Sequence, residues 1–483
     1  MILLFRISSS AAPITLVWDA NTEPDLAGYK IHWGSEPGSY CCWQDAGNVT
    51  QWSSDIPLNS YIAATAYDSD GKESGYSNEI YWSQQESYLG AVNLNASQFQ
   101  KESQPMAVTL RQVEKITASL TGTSVDVTLT TTLLDTSKAF LVFGVRSNHN
   151  QPQHNLVHGN IINTTTVRFG RYATSGTINI IGYVVEFTAG VTVERGSLSM
   201  DWPSVSGDIT LSSITDLSKS FRLASHQVHG STYSADDIVT TYLWDDAGTK
   251  KLHWQRNDSS EGTHTLQWQV VQYDDCSVQR GSITTISTTD TSKTENISSV
   301  SLTKSFLLFD FRAEGGTAAN IASKLIRGKF NSATQLIFER DSAGSLAISD
   351  LRYEVVEFTD AVTVQEISEA FASSDGQEDA TITEVSALTK AIAFASGRMR
   401  EGKGAYTGDD IPGESWFTAE LTTTTNLQTK RNSTNSTADA VFYVVDFGAA
   451  TAGTTKSVAG SIPAMAGALS KKLMAKRTVQ GAI

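Results

Sequence analysis

Five histidines, His149, His154, His158, His226 and His229, and two pairs of adjacent acids, Asp236-Asp237 and Asp409-Asp410, are the residues of this 483-residue chain whose types could do chemistry. Imidazoles ligate metals or carry protons, and neighbouring carboxylates bind a cation or a sugar hydroxyl. The histidine spacings fit no rigid metal template, and N-H-N-Q-P-Q-H-N around His149 and His154 reads as a loop. The paired acids recur in only two of four equivalent places, because His154-Asn155 and Ala319-Asn320 occupy the others. The chain has no G-x-S-x-G elbow, no phosphate loop and no H-E-x-x-H, and no acidic pair in a catalytic context. No catalytic, cofactor or metal set is therefore assigned. His149, His154, His229, Tyr233, Asp236, Asp237, Tyr406, Asp409 and Asp410 stand as candidates for binding loops.

The elements that must position these residues announce themselves by repetition. G-Y-V-V-E-F (182 to 187), Q-V-V-Q-Y (269 to 273), Y-E-V-V-E-F (353 to 358) and Y-V-V-D-F (443 to 447) are one phrase, with central valines at Val185, Val271, Val356 and Val445. The steps of 86, 85 and 89 residues suit a small β-sandwich rather than a helical solenoid repeat. A lysine phrase opens each copy at Lys138, Lys219, Lys304 and Lys390, and an arginine closes a mid-repeat strand at Arg171, Arg256, Arg340 and Arg431. Asn or Asp before an aliphatic residue recurs at Asn155, Asp237, Asn320 and Asp410. Four phrases in one order imply duplication. Within each copy Ser, Thr and β-branched residues dominate, with Gly and Pro between runs, so the fold class is all-β. Alternation puts Glu186 on the face of Val184 and opposite Val185 and Phe187, which predicts one core face and one partly wet face. The arginines are expected to pair with Glu186, Gln272, Glu357 and Asp446 as structural clamps.

With 40% hydrophobic and 18% charged residues the chain reads as folded and long enough for about three to five cores. A net charge of −15 argues against nucleic acid or an anionic membrane as the main partner. No apolar run reaches the length of a membrane span, so membrane insertion is not expected. Cys41 and Cys42 are adjacent and Cys276 stands alone, so no framework of paired bridges can be drawn. The first 12 residues are short for a signal peptide, although Ala11-Ala12 would suit a cleavage site.

Residues 13–83 alternate in period two between turn clusters, and five of the ten tryptophans lie there (Trp18, Trp33, Trp43, Trp52 and Trp82). L-V-W-D-A-N-T-E-P-D-L-A-G-Y-K-I-H-W-G and Y-I-A-A-T-A-Y-D-S-D-G-K-E-S-G-Y-S-N-E-I resemble a bacterial fibronectin type III domain. The resemblance implies a seven-strand sandwich, with Trp18, Tyr29, Ile31 and Trp33 facing the core and no catalysis. The family's corner tyrosine falls at Ser60. Asp68-Ser69-Asp70-Gly71, with Glu79 downstream, looks like the start of a calcium loop but reads better as a hairpin turn.

A polar linker at 84–106 leads to repeats at 107–196, 197–280, 281–368 and 369–455, with V-T-V-E-R-G-S-L-S-M (191 to 200) either ending one or opening the next. The Ala/Gly-rich tail, 456–483, carries a short 21-residue repeat and reads as truncated. Such runs, like tandem V-V-E-F sandwiches, resemble parts of bacteriophage tail and bacterial surface proteins. What the resemblance implies is a non-enzymatic, elongated structural and adhesive protein of a phage tail or fibre, placed in a virion. The alternatives are a secreted bacterial adhesin or extracellular filament subunit at the cell surface, and a glycan-binding accessory region of a secreted hydrolase. Expected partners are other virion or surface-structure subunits and cell-surface glycan, in an oligomer. Sandwiches in series would exceed about 120 Å.

Overall fold

The computed structural model describes residues 11–18, 25–77, 79–82, 92–94, 108–149, 151–231, 233, 235, 237–259, 262–313, 325–341, 343, 347–396, 403–404 and 412–448. Their regular structure is almost wholly strand, and two compact units separate at Pro105 and Met106. The linker and tail expectations fall mostly or wholly outside the described residues.

The first unit contains β1 (Ala11–Trp18), β2 (Leu26–Gly34), β3 (Cys42–Gly47), β4 (Gln51–Pro57), β5 (Ser60–Asp68), β6 (Ile80–Trp82) and β7 (Val92–Leu94). They form two sheets, β4-β1-β7 and β3-β2-β5-β6. Period-two alternation drives Trp18, Tyr29, Ile31, Ile56 and Ile62 into one core, where Trp18 meets Tyr29 edge-on at 5.3 Å. At the corner where the resemblance calls for a tyrosine, the buried Ser60 hydroxyl donates to the Pro57 carbonyl at 2.7 Å.

The second unit contains four pairs of three-stranded sheets built to one plan. In the first module one sheet runs Ala139–Arg146, Ile178–Ala189, Thr109–Leu120, and the other His158–Asn163, Thr166–Gly170, Ser124–Thr128. The second module repeats this with Ser220–Gln227, His264–Tyr273, Val191–Met200 and with Thr240–Asp246, Thr249–Gln255, Ser206–Thr210. In the third the strands are Ser305–Ala313, Ile348–Phe358, Cys276–Ile283 and Arg327–Ser332, Gln335–Glu339, Ser292–Asn296. The fourth uses Ala391–Ala395, Ala438–Asp446, Thr363–Phe371, extended by Lys403–Gly404, and Thr418–Thr423, Asn426–Lys430, Gln377–Thr381. Each V-V-E-F phrase is thus the central strand of its sheet. Val191–Met200 pairs residue by residue with His264–Tyr273, so the segment left open by the sequence opens the second module.

The face expected to be partly wet is mostly core: Val184, Val270, Val355 and Val444 are buried there, as is Glu186, while Gln272, Glu357 and Asp446 stay half-buried. Val184 and Ile180 enter the core of their own module, whereas Tyr183, Val185 and Phe187 enter a second core shared by all four. The modules do not run in series. His158–Asn163 packs on Ser220–Gln227, Thr240–Asp246 on Ile348–Phe358, and Arg327–Ser332 on Ala438–Asp446. Thr418–Thr423 then packs on Ala139–Arg146 and Ile178–Ala189, which returns the fourth module to the first. At the middle, Phe187, Tyr273, Phe358 and Phe447 form a cycle of edge-to-face contacts, with centroids 5.6, 5.0, 6.0 and again 5.6 Å apart. A head-to-tail contact repeated through a suitable rotation closes, and here it closes after four copies within one chain.

The closing seam depends on Gly144. A methyl group there would lie 2.6 Å from the Phe417 carbonyl oxygen and 3.2 Å from Thr418 Cα, both in the backbone of the fourth module. Gly144→Val should lower the unfolding free energy by about 1–3 kcal/mol, the usual cost of overpacking. Chemical denaturation measures it, and a variant as stable as the parent would show that the seam is not closed in solution.

Candidate functional site: the joints between modules

The lysine phrase and the acid of the central strand form one local device. Each lysine ends a short 3-10 turn in the first three modules, and Asp135 and Asp216 cap theirs by accepting from Ser137 and Ser218 N–H at 2.8 Å. Glu186 Oε1 accepts from the N–H groups of Leu134 (2.6 Å) and Asp135 (3.1 Å). Gln272 does the same for Thr215 and Asp216, Glu357 for Ser301, and Asp446 for Ser386. An acceptor is all the position requires, so the amide at 272 works as well as a carboxylate. A second acceptor recurs on the opening strand and was missed in the sequence. Glu114, Glu194, Gln279 and Gln365 accept from the N–H groups of Thr130, Ser212, Ser298 and Thr383. Each directly follows a valine, Val113, Val193, Val278 or Val364, and that was the available signal.

The four arginines do not clamp those acids as expected. They are buried, and their forks gather backbone carbonyls. Arg171 donates to the carbonyls of Gly122, His154, Ser175, Thr121 and Gly176. Arg256 donates to Met200 and Ser204, Arg340 to Asp290 and Ser287, and Arg431 to Asp375, Glu414 and Ala372. Burial pulls the proton affinity of Arg171 and Arg340 below the ordinary guanidinium range. Five fixed donors make arginine the residue able to satisfy several loop carbonyls at once.

In the first, second and fourth copies the residue after the arginine then touches the next module. Tyr172 meets His229 edge-on at 4.4 Å. Asn257 accepts from Arg312 at 2.6 Å and donates to Ser349 Oγ at 2.8 Å. Asn432 accepts from Arg146 at 3.0 Å and donates to Asn179 at 3.2 Å.

This stitching decides where the candidate binding residues lie. His149 and His154 stack at 4.3 Å, and burial holds His149 below the usual imidazole value, helped by His154 and Arg171 nearby. His154 Nδ1 lies 3.1 Å from the Ala173 carbonyl and His149 Nε2 2.8 Å from Ser175 Oγ. Val228 is fully buried in the first module's core, with Tyr233 against it, and the Gln153 N–H donates to the Gly230 carbonyl. Asp237 is buried, its carbonyl 2.6 Å from His226 Nε2. So His149, His154, His229 and Tyr233 come together, in the first joint, while Asp237 braces the loop behind them. Asp236, Tyr406, Asp409 and Asp410 lie outside the described residues. Among the described residues no three His, Cys, Asp or Glu groups converge to hold a metal ion. In the first unit Asp68 accepts from the N–H groups of Asp70 and Lys72, whereas Glu79 holds Gly38 N–H and the Tyr40 hydroxyl, each at 2.7 Å. That is the hairpin turn, not a calcium cage.

The same place in each joint is filled by different chemistry. In the first, Gln269 pins both backbone groups of Leu141 at 2.9 Å, and Ser225 accepts from Gly159 N–H. In the second, the equivalents are Arg222, Glu354 and Asp310. Glu354 lies 2.9 Å from the Arg222 guanidinium and also takes its N–H, Asp310 takes Arg222 and Thr241, and Arg280 completes the cluster at 2.9 Å. Side chains of Arg222, Asp310 and Glu354 are 4, 2 and 1% exposed.

Removing one member of such a cluster strands a charge. Arg222→Leu alone should cost about 3–5 kcal/mol. Adding Asp310→Ser and Glu354→Gln, the side chains that serve in the first joint, should recover most of that loss in urea unfolding, and a triple variant no better than the single one would refute the equivalence of the joints. Acid should loosen the first joint through His158, whose ring covers Gly170 and whose proton affinity burial lowers to about 4. The unfolded value is about 6.5, so the unfolded chain takes up the proton first and stability falls as pH drops from about 6.5 towards 4, by on the order of 2–3 kcal/mol. Melting temperatures at pH 7 and 4.5 should differ less in His158→Gln than in the parent.

No protein-family model matches the chain, and no curated protein matches it.

Proposed function

We propose that this chain is a non-enzymatic structural and adhesive protein, a component of a phage tail or fibre, with a fibronectin type III-like module ahead of the four-module unit. One observation carries the reading: the polar groups that recur in every copy are spent inside the fold. Glu186 and its equivalents hold loop amides, the arginines hold loop carbonyls, and Arg222, Asp310, Glu354 and Arg280 hold one module to the next. A general acid or nucleophile has to be free to meet its substrate, and groups committed to these internal hydrogen bonds are not. Elongation is not carried over to the four modules, which turn back on themselves.

Adhesion falls to the loops at the far ends of the modules. Each third strand starts in the shared core, as at Phe140, and runs out to residues such as Arg146, about 20 Å away at 3.3 Å per residue. There Trp202 is 68% exposed and Tyr172 is 41% exposed, rings of the kind on which sugars stack.

The purified chain, with calcium present, should bind bacterial surface polysaccharide saturably and release no product. Trp202→Ala should weaken that binding while shifting stability by no more than about 0.5 kcal/mol. Product release by the parent would overturn the non-enzymatic reading.

A further inference from the structure

The chain has three cysteines, and the fold treats them in two ways. Cys276 is buried beneath the second and third modules, its thiol donating to the Lys219 carbonyl and pushed up in pKa by burial. Cys41 and Cys42 lie in the first unit, where Cys41 is exposed and Cys42 half-buried, with their sulfurs 2.8 Å apart. The chain on both sides of the pair is pinned. Upstream, Glu79 holds the hairpin through Gly38 N–H and the Tyr40 hydroxyl, and Tyr40 packs on Tyr76 at 4.7 Å. Downstream, Cys42 and Trp43 enter β3 opposite Trp33 and His32, and Lys30 covers the Trp43 ring at 4.8 Å. The Cys41 thiol points to the Trp33 carbonyl at 3.6 Å. The hairpin therefore holds the backbone that carries both sulfurs.

We propose that Cys41 and Cys42 form a modification site, a vicinal dithiol that a low-molecular-weight disulfide converts reversibly to a Cys41–Cys42 disulfide. Cys41, the more exposed, attacks as thiolate on one sulfur of the incoming disulfide, which breaks that S–S bond and releases one thiol. Cys42 then attacks the Cys41 sulfur of the mixed disulfide, forming the Sγ–Sγ bond and releasing the second thiol. Two electrons pass from the pair to the reagent, and both cysteine protons end on the two released thiols, directly or through water.

The product is an eight-membered ring. Adjacent Cα atoms lie about 3.8 Å apart, below the roughly 4.4–6.8 Å at which disulfides are usually relaxed. Strained, exposed disulfides are the readily reduced ones, so a modest excess of thiol reopens the ring. Closing it also removes the S–H that faces the Trp33 carbonyl, so the two states differ at the root of the β2–β3 hairpin.

The test uses the full chain, oxidised glutathione, native thiol titration and intact mass. The untreated protein should show two reactive thiols in the native state, with Cys276 reached only after denaturation. After treatment both should vanish, with the mass lower by two hydrogens, no glutathione attached, and full return on adding dithiothreitol. Cys41→Ser and Cys42→Ser should each keep one stable glutathione adduct, because the resolving thiol is gone. Phenylarsine oxide, which needs two thiols to chelate, should bind the parent in a one-to-one complex and neither serine variant. A parent that keeps glutathione adducts, links two chains together, or fails to react overturns the proposal.

Discussion

Edge-to-face packing of four aromatic rings, Phe187, Tyr273, Phe358 and Phe447, is the contact on which the second unit depends. Such contacts set a positive ring edge against a negative face and are worth about 0.5–1.5 kcal/mol each beyond burial. Phe140, Phe221 and Phe306 surround it, with Ile392 in the fourth place, and the valines of the central strands line the next layer. The sandwiches are small, and a three-stranded sheet buries little by itself. Burial of the second face against the shared core supplies what each module lacks alone.

Polar chemistry follows from that burial. With valines buried on both faces of the central strand, every loop amide and carbonyl turned away from water must find a partner inside the protein. Carboxylates and amides take the donors, and arginine forks take the acceptors. The joints show how little the identity of these groups is prescribed. Leu141 with Gln269 and Ser225 fills the place that Arg222 fills with Glu354 and Asp310, one joint neutral and the other ionic. Buried charge at the second joint is a solution to packing and hydrogen bonding, not evidence of a reaction.

Strand class and the copies were legible in the sequence, because period-two alternation, turn residues and the recurring phrases state them locally. Ring closure was not. Glu186 alternates with valine as a half-solvated strand would, and nothing local distinguishes water from a neighbouring module as the cover for Val185 and Phe187. The arginines recurred visibly, but a carbonyl partner leaves no trace in side-chain types, so pairing with the recurrent acids was the natural and incorrect inference. Tyr172, Asn257 and Asn432 share the position after an arginine, and a tyrosine beside two asparagines there looks like drift until the stitching contact is seen. His229 looked like a free loop residue for the same reason: its partner, Tyr172, lies in another copy.

Closure also limits how such a gene can change. An open repeat array tolerates gain or loss of a copy, since each new unit meets the same neighbour as before. Here the contact between Gly144 and the Phe417 backbone exists only if the fourth copy comes back to the first. Unequal recombination that left three copies or five would leave one sticky surface at each end, and those surfaces are complementary. Such chains would join one another end to end into filaments, so the duplication that built this protein is also one that cannot be repeated in small steps.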